Sequence, residues 1–297
     1  MPHFAPSSTR EFPTDATVAT LVRLAAAQLS GDDPRRDAEL LLQHALDVDR
    51  AWLFSHAGDV PGMEAVQQFG RLVERRVAGE PLAYVVGHAG FWTLDLRVTP
   101  DTLIPRPETE LLVELALSRL PADQPLRIAD LGTGSGAIAL ALASERPKAA
   151  VVATDMSGKA LAVARENARR NGVPGVVFRE GDWFVPLGTE CFDLIASNPP
   201  YIAEGDAHLG RGDLRFEPLS ALSSGADGLN AISVLCEGAP GHLVEGGWLL
   251  IEHGYDQGDA VRSLLGSAGF VEVETRQDLE QRDRVSLGRK KGGSPPA

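Results

Sequence analysis

The sequence has few cysteines, scattered histidines and no long apolar run. Its 297 residues include only two cysteines, Cys191 and Cys236, which form neither a disulfide framework nor a metal-binding pattern. We therefore expect reduced thiols, as in the cytoplasm, and no metal site. No run approaches the roughly 18 apolar residues that a membrane helix needs. The first residues lack the charged start and apolar stretch of a signal peptide, so we expect a cytoplasmic protein that does not contact a membrane.

Positive charge is also scarce. The chain has 28 Lys and Arg residues against 41 Asp and Glu residues, for a formal net charge of −13. Proteins that bind long stretches of nucleic acid draw most of their affinity from clustered cations. The charge balance therefore argues against direct nucleic-acid binding, while it leaves room for a small basic patch or a protein partner.

The spacing of apolar residues changes along the chain and predicts its domains. Residues 16–82 show three- and four-residue spacing, as at Leu21, Leu24, Ala25 and Leu29, which predicts a small helical bundle. Residues 83–100 contain YVVGHAG followed by FWTLDLRV, whose alternation predicts a connecting β-hairpin. Residues 101–290 form the predicted main domain. Residues 1–15 and 291–297 are rich in small residues and proline, and we expect both to be disordered.

Beyond Pro107, apolar strand patterns alternate with helical ones. This alternation predicts a mainly parallel, doubly wound α/β sheet with helices on both faces. The candidate strands are Leu126–Asp130, Ala150–Thr154, Gly175–Glu180, Phe192–Ala196, Trp248–Glu252, Phe270–Thr275 and Val285–Leu287.

A glycine-rich loop follows the first predicted strand. The sequence there reads Gly132-Thr133-Gly134-Ser135-Gly136 and leads into a helix. Glycines allow a sharp turn and a close approach to a ligand, which in such folds lies at the carboxyl ends of the strands. Gly132, Gly134 and Ala137 satisfy the dinucleotide fingerprint G-x-G-x-x-A. A single match of this kind is weak evidence, so a nicotinamide site and a purely structural loop both remain open on this motif alone.

Acidic residues around this loop favour a different ligand. Asp130 immediately precedes the loop, where a carboxylate repels a pyrophosphate but can bind an ammonium group. Asp155 ends the second strand, where it can accept hydrogen bonds from both ribose hydroxyls or cap the next helix. After the third strand, Asp182 and Trp183 offer an acceptor and a stacking surface for adenine. The set predicts S-adenosyl-L-methionine as the cofactor.

The fourth strand ends in Ser197-Asn198-Pro199-Pro200-Tyr201. Neither proline can continue a strand, and both stiffen the loop. The Asn198 side chain and the Pro199 carbonyl then form two fixed acceptors that can hold both hydrogens of a planar NH2 group. We therefore predict Asn198 and Pro199 as catalytic residues, with Pro200 and Tyr201 completing the substrate site, although Asn198 could also simply begin a loop. The substrate is then an amide or an exocyclic base amine.

The chain resembles the N5-glutamine methyltransferases that modify peptide-chain release factors, the HemK/PrmC type. The matching motifs follow one another in the family's order: LIPRPETE (Leu103–Glu110), Asp130–Gly136, Asn198–Tyr201, Phe216-Glu217-Pro218, Glu252-His253-Gly254 and Asp283-Arg284-Val285.

This resemblance implies a Rossmann-like class I methyltransferase that acts on the glutamine of the Gly-Gly-Gln motif in class 1 release factors. It implies cofactor contacts at Gly132–Gly136, Asp155, Trp183 and Asn198. It further implies that the substrate amide binds at Asn198–Tyr201 and that the helical domain helps to hold the release factor.

Several alternatives remain at this point. An adenine-N6 nucleic-acid methyltransferase could use the same tetrapeptide, but it must flip a base and bind the backbone around it. A ribosomal-protein glutamine methyltransferase, a Rossmann-like binding module and an NAD-dependent dehydrogenase are the others. For the remaining motif residues we expect structural roles: Arg106 pairing with Glu108, Glu217 ordering its own loop, and His253 hydrogen-bonded near a strand end.

Overall fold

The computed structural model describes residues 12–210 and 212–292, so most of the two predicted disordered ends lies outside the described residues. The chain forms two compact units, Met1–Gly87 and His88–Ala297.

The described part of the first unit is helical. Three of its helices begin at a side-chain cap, where Thr17, Asp33 and Asp49 each accept a hydrogen bond from the backbone N–H three residues later. Such caps satisfy N–H groups that the helix itself leaves without partners. The helices are α1 (Val18–Ala26), α2 (Pro34–Leu46), α3 (Arg50–Ser55), α4 (Met63–Val77) and α5 (Leu82–Val86).

This unit has its own apolar core. Leu21, Leu41, Leu42 and Phe69 are fully buried in it. These residues occupy one stripe on each helix, so the three- and four-residue spacing in the sequence identified the buried faces. The short helix α3 was not predicted.

Helix α5 corrects the prediction that the hairpin begins at residue 83, because the first residues of YVVGHAG are helical. Tyr84 and Val85 are buried, and the Arg75 guanidinium donates hydrogen bonds to both of their carbonyl oxygens at 3.1 Å. The helical turn is stable because its free carbonyls are satisfied from α4. The hairpin itself consists of β1 (His88–Phe91) and β2 (Leu94–Arg97), and Trp92, which we expected in a strand, lies in the turn between them with φ 57°.

The second unit contains a seven-stranded sheet flanked by helices, and all seven candidate strands are present in it. The strands are β3 (Arg127–Leu131), β4 (Ala150–Asp155), β5 (Val177–Glu180), β6 (Phe192–Ser197), β7 (Leu243–Glu252), β8 (Phe270–Gln277) and β9 (Asp283–Lys290). The helices are α6 (Glu110–Arg119), α7 (Ala137–Glu145), α8 (Gly158–Arg170), α9 (Asn230–His242) and α10 (Gly258–Ser267).

The strand order is β5-β4-β3-β6-β7-β9-β8. Strands β3 to β7 run parallel, and β9 is antiparallel to both of its neighbours. The order reverses direction at β3, with β4 on one side and β6 on the other. In doubly wound sheets a ligand crevice opens at this switch point, outside the carboxyl ends of the strands. The predicted doubly wound, mainly parallel α/β fold is confirmed.

Apolar cores cover both faces of the sheet. Ile128 of β3 packs with Leu112 of α6 and Ile138 of α7, while Leu131 of the same strand packs with Ile232 of α9 on the opposite face. A strand buried on both sides has to be apolar almost throughout, as β3 is. Among the described residues, no helix is both long enough and apolar enough to cross a membrane.

Candidate active site

A cavity of about 550 Å³ opens in the second unit at the carboxyl ends of the parallel strands. Most of the predicted site residues line it. They are Gly132, Thr133, Gly134, Ser135, Asp155, Asp182, Trp183, Asn198 and Pro200. Further walls come from residues 100–109 and from helix α9. Asp130, Gly136, Pro199 and Tyr201 do not line the cavity.

The glycine loop is held in place by the neighbouring strand. The backbone N–H groups of Gly132 and Thr133 both donate to the Thr154 carbonyl at 2.9 Å. Gly136 has φ 88° and begins α7, and a Cβ atom there would lie 3.2 Å from Ala164 Cβ. The loop therefore turns sharply and closely approaches α8, which only glycine permits at this position.

Asp130 lies behind the loop and not on the cavity wall. It is fully buried, and its Oδ2 accepts hydrogen bonds from the Thr133 hydroxyl at 2.6 Å and the Ala139 N–H at 3.1 Å. Burial raises the pKa of Asp130 to about 7, more than these two bonds lower it. Asp130 thus fixes the loop to the first turn of α7, whereas we expected a direct contact with an ammonium group.

Asp155 lies at the end of β4, on the cavity wall. One carboxylate oxygen accepts from Gly134 N–H and the other from Ser157 N–H, both at 2.8 Å. Ser157, and not Asp155, caps α8 by accepting from Ala160 N–H, so the capping alternative for Asp155 is wrong. Each carboxylate oxygen has a second lone pair, so Asp155 can still accept from two hydroxyl groups.

Trp183 and Asp182 form the wall that follows β5. Trp183 lines the cavity with φ 37°, and its carbonyl accepts from the Thr154 hydroxyl at 3.3 Å. The exposed Asp182 carboxylate lies beside it. This wall offers a flat apolar ring and an acceptor, which is what an adenine ring with its amino group requires.

Asn198 follows β6 directly and is oriented from two sides. The hydroxyl of Ser197 donates to the Leu131 carbonyl at 2.6 Å, which joins the ends of β6 and β3. The Asn198 side-chain Nδ2 donates to the Thr109 hydroxyl at 3.1 Å. Among the described residues, nothing donates to Asn198 Oδ1 or to the Pro199 carbonyl. Asn198 therefore offers the cavity an acceptor oxygen.

Tyr201, which the sequence predicts as part of the substrate site, does not line the cavity. Its ring packs against the core beneath α9 and α10, and its hydroxyl lies 3.5 Å from a Glu252 oxygen. Burial raises the pKa of Tyr201, so the hydroxyl stays protonated.

Two polar residues of the site carried no role in the sequence analysis, Thr109 and Glu252. Thr109 lines the cavity and is 4% exposed, and Glu252 is 1% exposed at the end of β7, next to β6. The sequence does contain a signal for Glu252: like Asp130 near the end of β3, it is an acidic residue at the carboxyl end of an apolar strand. Thr109 had no such signal, since only the tertiary fold brings it to Asn198.

Arg106 corrects one further expectation. Arg106 forms an ion pair with Glu217 and not with Glu108. The Glu217 side chain is fully buried, and it also accepts from Ile104 N–H at 3.0 Å. Glu217 therefore ties its own segment to residues 104–106 on the cavity wall. His253 is a buried structural residue, as expected, and bonds Ser286 Oγ and the Gly254 carbonyl, both at 2.8 Å.

Comparisons with known proteins agree with this geometry. Residues 20–87 match the family model of the PrmC N-terminal domain, and residues 109–211 match that of the methyltransferase small domain. The solved structure of a methyltransferase from Pyrococcus furiosus has the same fold, with a TM-score of 0.51 and 19% identity, and the match covers 67% of this chain and 90% of that one. Fold and site together define a Rossmann-like class I methyltransferase.

Closer relatives identify the family. The release factor glutamine methyltransferase of Xylella fastidiosa is 62% identical over 86% of this chain and 93% of its own length. That of Pseudomonas aeruginosa is 50% identical over 92% of this chain and 98% of its own length. The chain belongs to the release factor glutamine methyltransferase family.

Proposed function

We propose that the protein transfers a methyl group from S-adenosyl-L-methionine to the side-chain amide nitrogen (N5) of the glutamine in the Gly-Gly-Gln motif of class 1 peptide-chain release factors, and so tunes translation termination. The observation that carries the proposal is the Asn198 amide, whose nitrogen is bound by Thr109 while its oxygen is left for a ligand in the cavity.

The residues at the switch point fit the cofactor. Asp155 can accept from the ribose hydroxyls, Trp183 and Asp182 can hold the adenine, and the glycine loop lets the backbone approach the amino-acid portion. When bound, S-adenosyl-L-methionine supplies an electrophilic methyl group on a positively charged sulfur and leaves as S-adenosyl-L-homocysteine. The cavity of about 550 Å³ lies within the range of small-molecule cofactor sites.

Asn198 and Pro199 would act by positioning the substrate amide. The nitrogen of a primary amide is a poor nucleophile because its lone pair is delocalised into the carbonyl. Asn198 Oδ1 can bind one of its N–H groups from the cavity wall. The carbonyl of Pro199, a residue buried between the two cavity-lining residues Asn198 and Pro200, is the proposed acceptor for the other. The nitrogen lone pair, perpendicular to the amide plane, is then left for the methyl group. The same acceptors stabilise the positive charge that develops on nitrogen. Once the new N–C bond forms, one amide proton leaves to solvent.

The substrate is a protein and not a nucleic acid in this proposal. The net charge of −13 disfavours a long nucleic-acid interface. The helical unit would hold part of the release factor, and its exposed apolar side chains Phe54 and Met63 are suited to a protein partner. A release factor as substrate places the enzyme in the cytoplasm.

The test is methyl transfer to a purified release factor with labelled S-adenosyl-L-methionine. A factor with Gly-Gly-Gln should be labelled on its glutamine, whereas the matched Gly-Gly-Ala factor should stay unlabelled. Asn198→Ala should lower the single-turnover rate by roughly 10²–10³, the effect of losing one preorganised contact to a transition state. Cofactor affinity should change much less, because most of the predicted cofactor contacts lie on other loops.

Three results would contradict the proposal. Equal labelling of both release factors would mean that the glutamine is not the acceptor, and efficient labelling of adenine in plain duplex DNA would favour a nucleic-acid methyltransferase. A near-normal rate in Asn198→Ala would mean that Asn198 only begins a loop.

A further inference from the structure

Glu252 is a buried carboxyl group that the proposed reaction does not use. It ends β7 next to Asn198, because Ser197 of β6 pairs with Ile251 of β7 in parallel register. Among the described residues its Oε2 atom is buried without any hydrogen-bond partner. A buried carboxyl with an unpartnered oxygen is unfavourable for folding and requires an explanation.

Thr109 connects this carboxyl to Asn198. The Thr109 hydroxyl faces Glu252, whose pKa it lowers, and its oxygen accepts a hydrogen bond from Asn198 Nδ2 at 3.1 Å. A hydroxyl has a single hydrogen, and an ionised carboxylate can only accept. The ionised Glu252 therefore takes the Thr109 hydrogen, so Thr109 must accept from Asn198. The amide NH2 of Asn198 is fixed towards Thr109, and its oxygen is the group left for the cavity.

We propose that Glu252 is a positioning residue that acts through Thr109 to hold the Asn198 amide with its oxygen towards the substrate. The inference rests on the proposed function, because a substrate that presents N–H groups is what requires an acceptor at this point.

Protonation of Glu252 would reverse the chain of hydrogen bonds. A neutral carboxyl can donate to Thr109, whose own hydrogen then turns to Asn198 and favours the flipped amide. The Asn198 NH2 would then face the N–H groups of the substrate, and two donors do not bind each other. Methyl transfer therefore requires ionised Glu252.

The charged and titratable groups around Glu252 come from three elements. Tyr201 approaches from the loop after β6, Arg284 from β9 and Glu108 from the turn before α6. Arg284 favours the ionised form, but it also pairs with Asp278 at 3.2 Å. Burial outweighs its effect and raises the pKa of Glu252 to about 7. The rate should thus fall as the pH is lowered through about 7.

The first test compares Thr109→Val with Thr109→Ser. Valine keeps the shape but removes the hydroxyl, so the methyl-transfer rate should fall roughly 10- to 100-fold, as expected for a misoriented catalytic contact. The KM for the release factor and the cofactor affinity should stay within about twofold. Serine keeps the hydroxyl and should restore a rate close to that of the wild type, which a purely structural role of the methyl group would not predict.

The second test measures the pH dependence of the single-turnover rate. Glu252→Gln should abolish the decline below pH 7, because glutamine does not titrate. Glu217→Gln is the matched control: it also neutralises a buried glutamate but should keep the decline. Thermal unfolding of each variant shows whether it is folded. If the Glu252 variant does not fold, the comparison of the two Thr109 variants decides, and if the Thr109 variants do not fold, the pH dependence of Glu252→Gln decides.

A full rate in folded Thr109→Val, or a decline that persists in Glu252→Gln, would overturn the positioning role while leaving the proposed function intact. A wild-type protein that fails to label the release factor would overturn the proposed function, and this inference with it.

Discussion

At the scale of single residues, Asp155 carries the most direct prediction about the cofactor. Its carboxylate accepts hydrogen bonds from the N–H groups of Gly134 and Ser157 at 2.8 Å, and each oxygen has a lone pair left for a further donor. Asp155→Ala should weaken S-adenosyl-L-methionine binding by about 1.5–3 kcal/mol, the range for charge-assisted hydrogen bonds. Isothermal calorimetry measures this, with Asp155→Asn as the control that keeps one acceptor and loses less. Unchanged binding in a folded Asp155→Ala protein would exclude Asp155 from the ribose site.

Asp130 carries a prediction about pH and stability. Its pKa is about 7 in the folded protein and about 3.9 in an unfolded chain. The folded state therefore binds the proton more tightly, so the stabilisation is full below pH 4 and is lost as the pH rises to about 7. Between these values the free energy of unfolding should fall by at most about 1.4 kcal/mol per pH unit from this group.

Asp130→Asn should remove the contribution of this group to the pH dependence of the free energy of unfolding. Urea unfolding of the cofactor-free protein between pH 4.5 and 8 measures the difference between the variant and the wild type. Identical slopes in the two proteins would show that Asp130 is ionised throughout and that burial does not control its protonation. Glu252 has a raised pKa in the same range, so Glu252→Gln is the companion variant.

At the scale of elements, the turn from β3 into α7 depends on Gly136 more than on Gly134. Both have positive φ, but a Cβ atom on Gly136 would lie 3.2 Å from Leu140 Cδ1 and from Ala164 Cβ, whereas Gly134 has no atom within 4 Å of that position. Gly136→Ala should destabilise the protein by about 2–4 kcal/mol through strain and overpacking, and Gly134→Ala by roughly 1 kcal/mol through strain alone. Denaturant unfolding of both variants checks the order, and equal losses would contradict it.

The ion pair between Arg106 and Glu217 joins two segments of the cavity wall. Arg106→Ala leaves a fully buried carboxylate without its cation, so the free energy of unfolding should fall by about 2–3 kcal/mol, less than for a pair buried on both sides. The double variant Arg106→Ala/Glu217→Gln should recover part of that loss, because it removes the uncompensated charge. Additive losses in this double-mutant cycle would mean that the two side chains do not stabilise each other.

At the scale of the whole molecule, each of the two units has an apolar core of its own. A protein that starts at His88 should therefore fold and bind S-adenosyl-L-methionine, since the cavity residues all lie beyond that point. It should methylate the release factor poorly, because the proposed partner-binding unit is missing. Circular dichroism, calorimetry and a methylation assay test the three parts of this prediction. A full methylation rate would remove the proposed role of the helical unit.

The sequence by itself determined the doubly wound sheet. Strands such as β3 and β6 are short apolar runs that end in Gly, Asn or Asp, and their alternation with helical patterns permits few topologies. Element ends were less well predicted, as α5 shows: Tyr84 and Val85 suit a strand by propensity, but tertiary burial and the Arg75 hydrogen bonds make them helical.

The sequence also determined which strand ends line the cavity, because Asp155, the glycine loop and Asn198 all lie at the ends of parallel strands, whose carboxyl ends share one edge of the sheet. Only the tertiary structure decided which way these side chains turn. Thr109 lies 89 residues before Asn198, and Glu217 lies 111 residues after Arg106; no local pattern encodes such pairs. A hydrogen bond forms only between groups that the fold brings within about 3 Å of each other. Asp130 and Tyr201 therefore face the protein interior, whereas Asn198 faces the cavity.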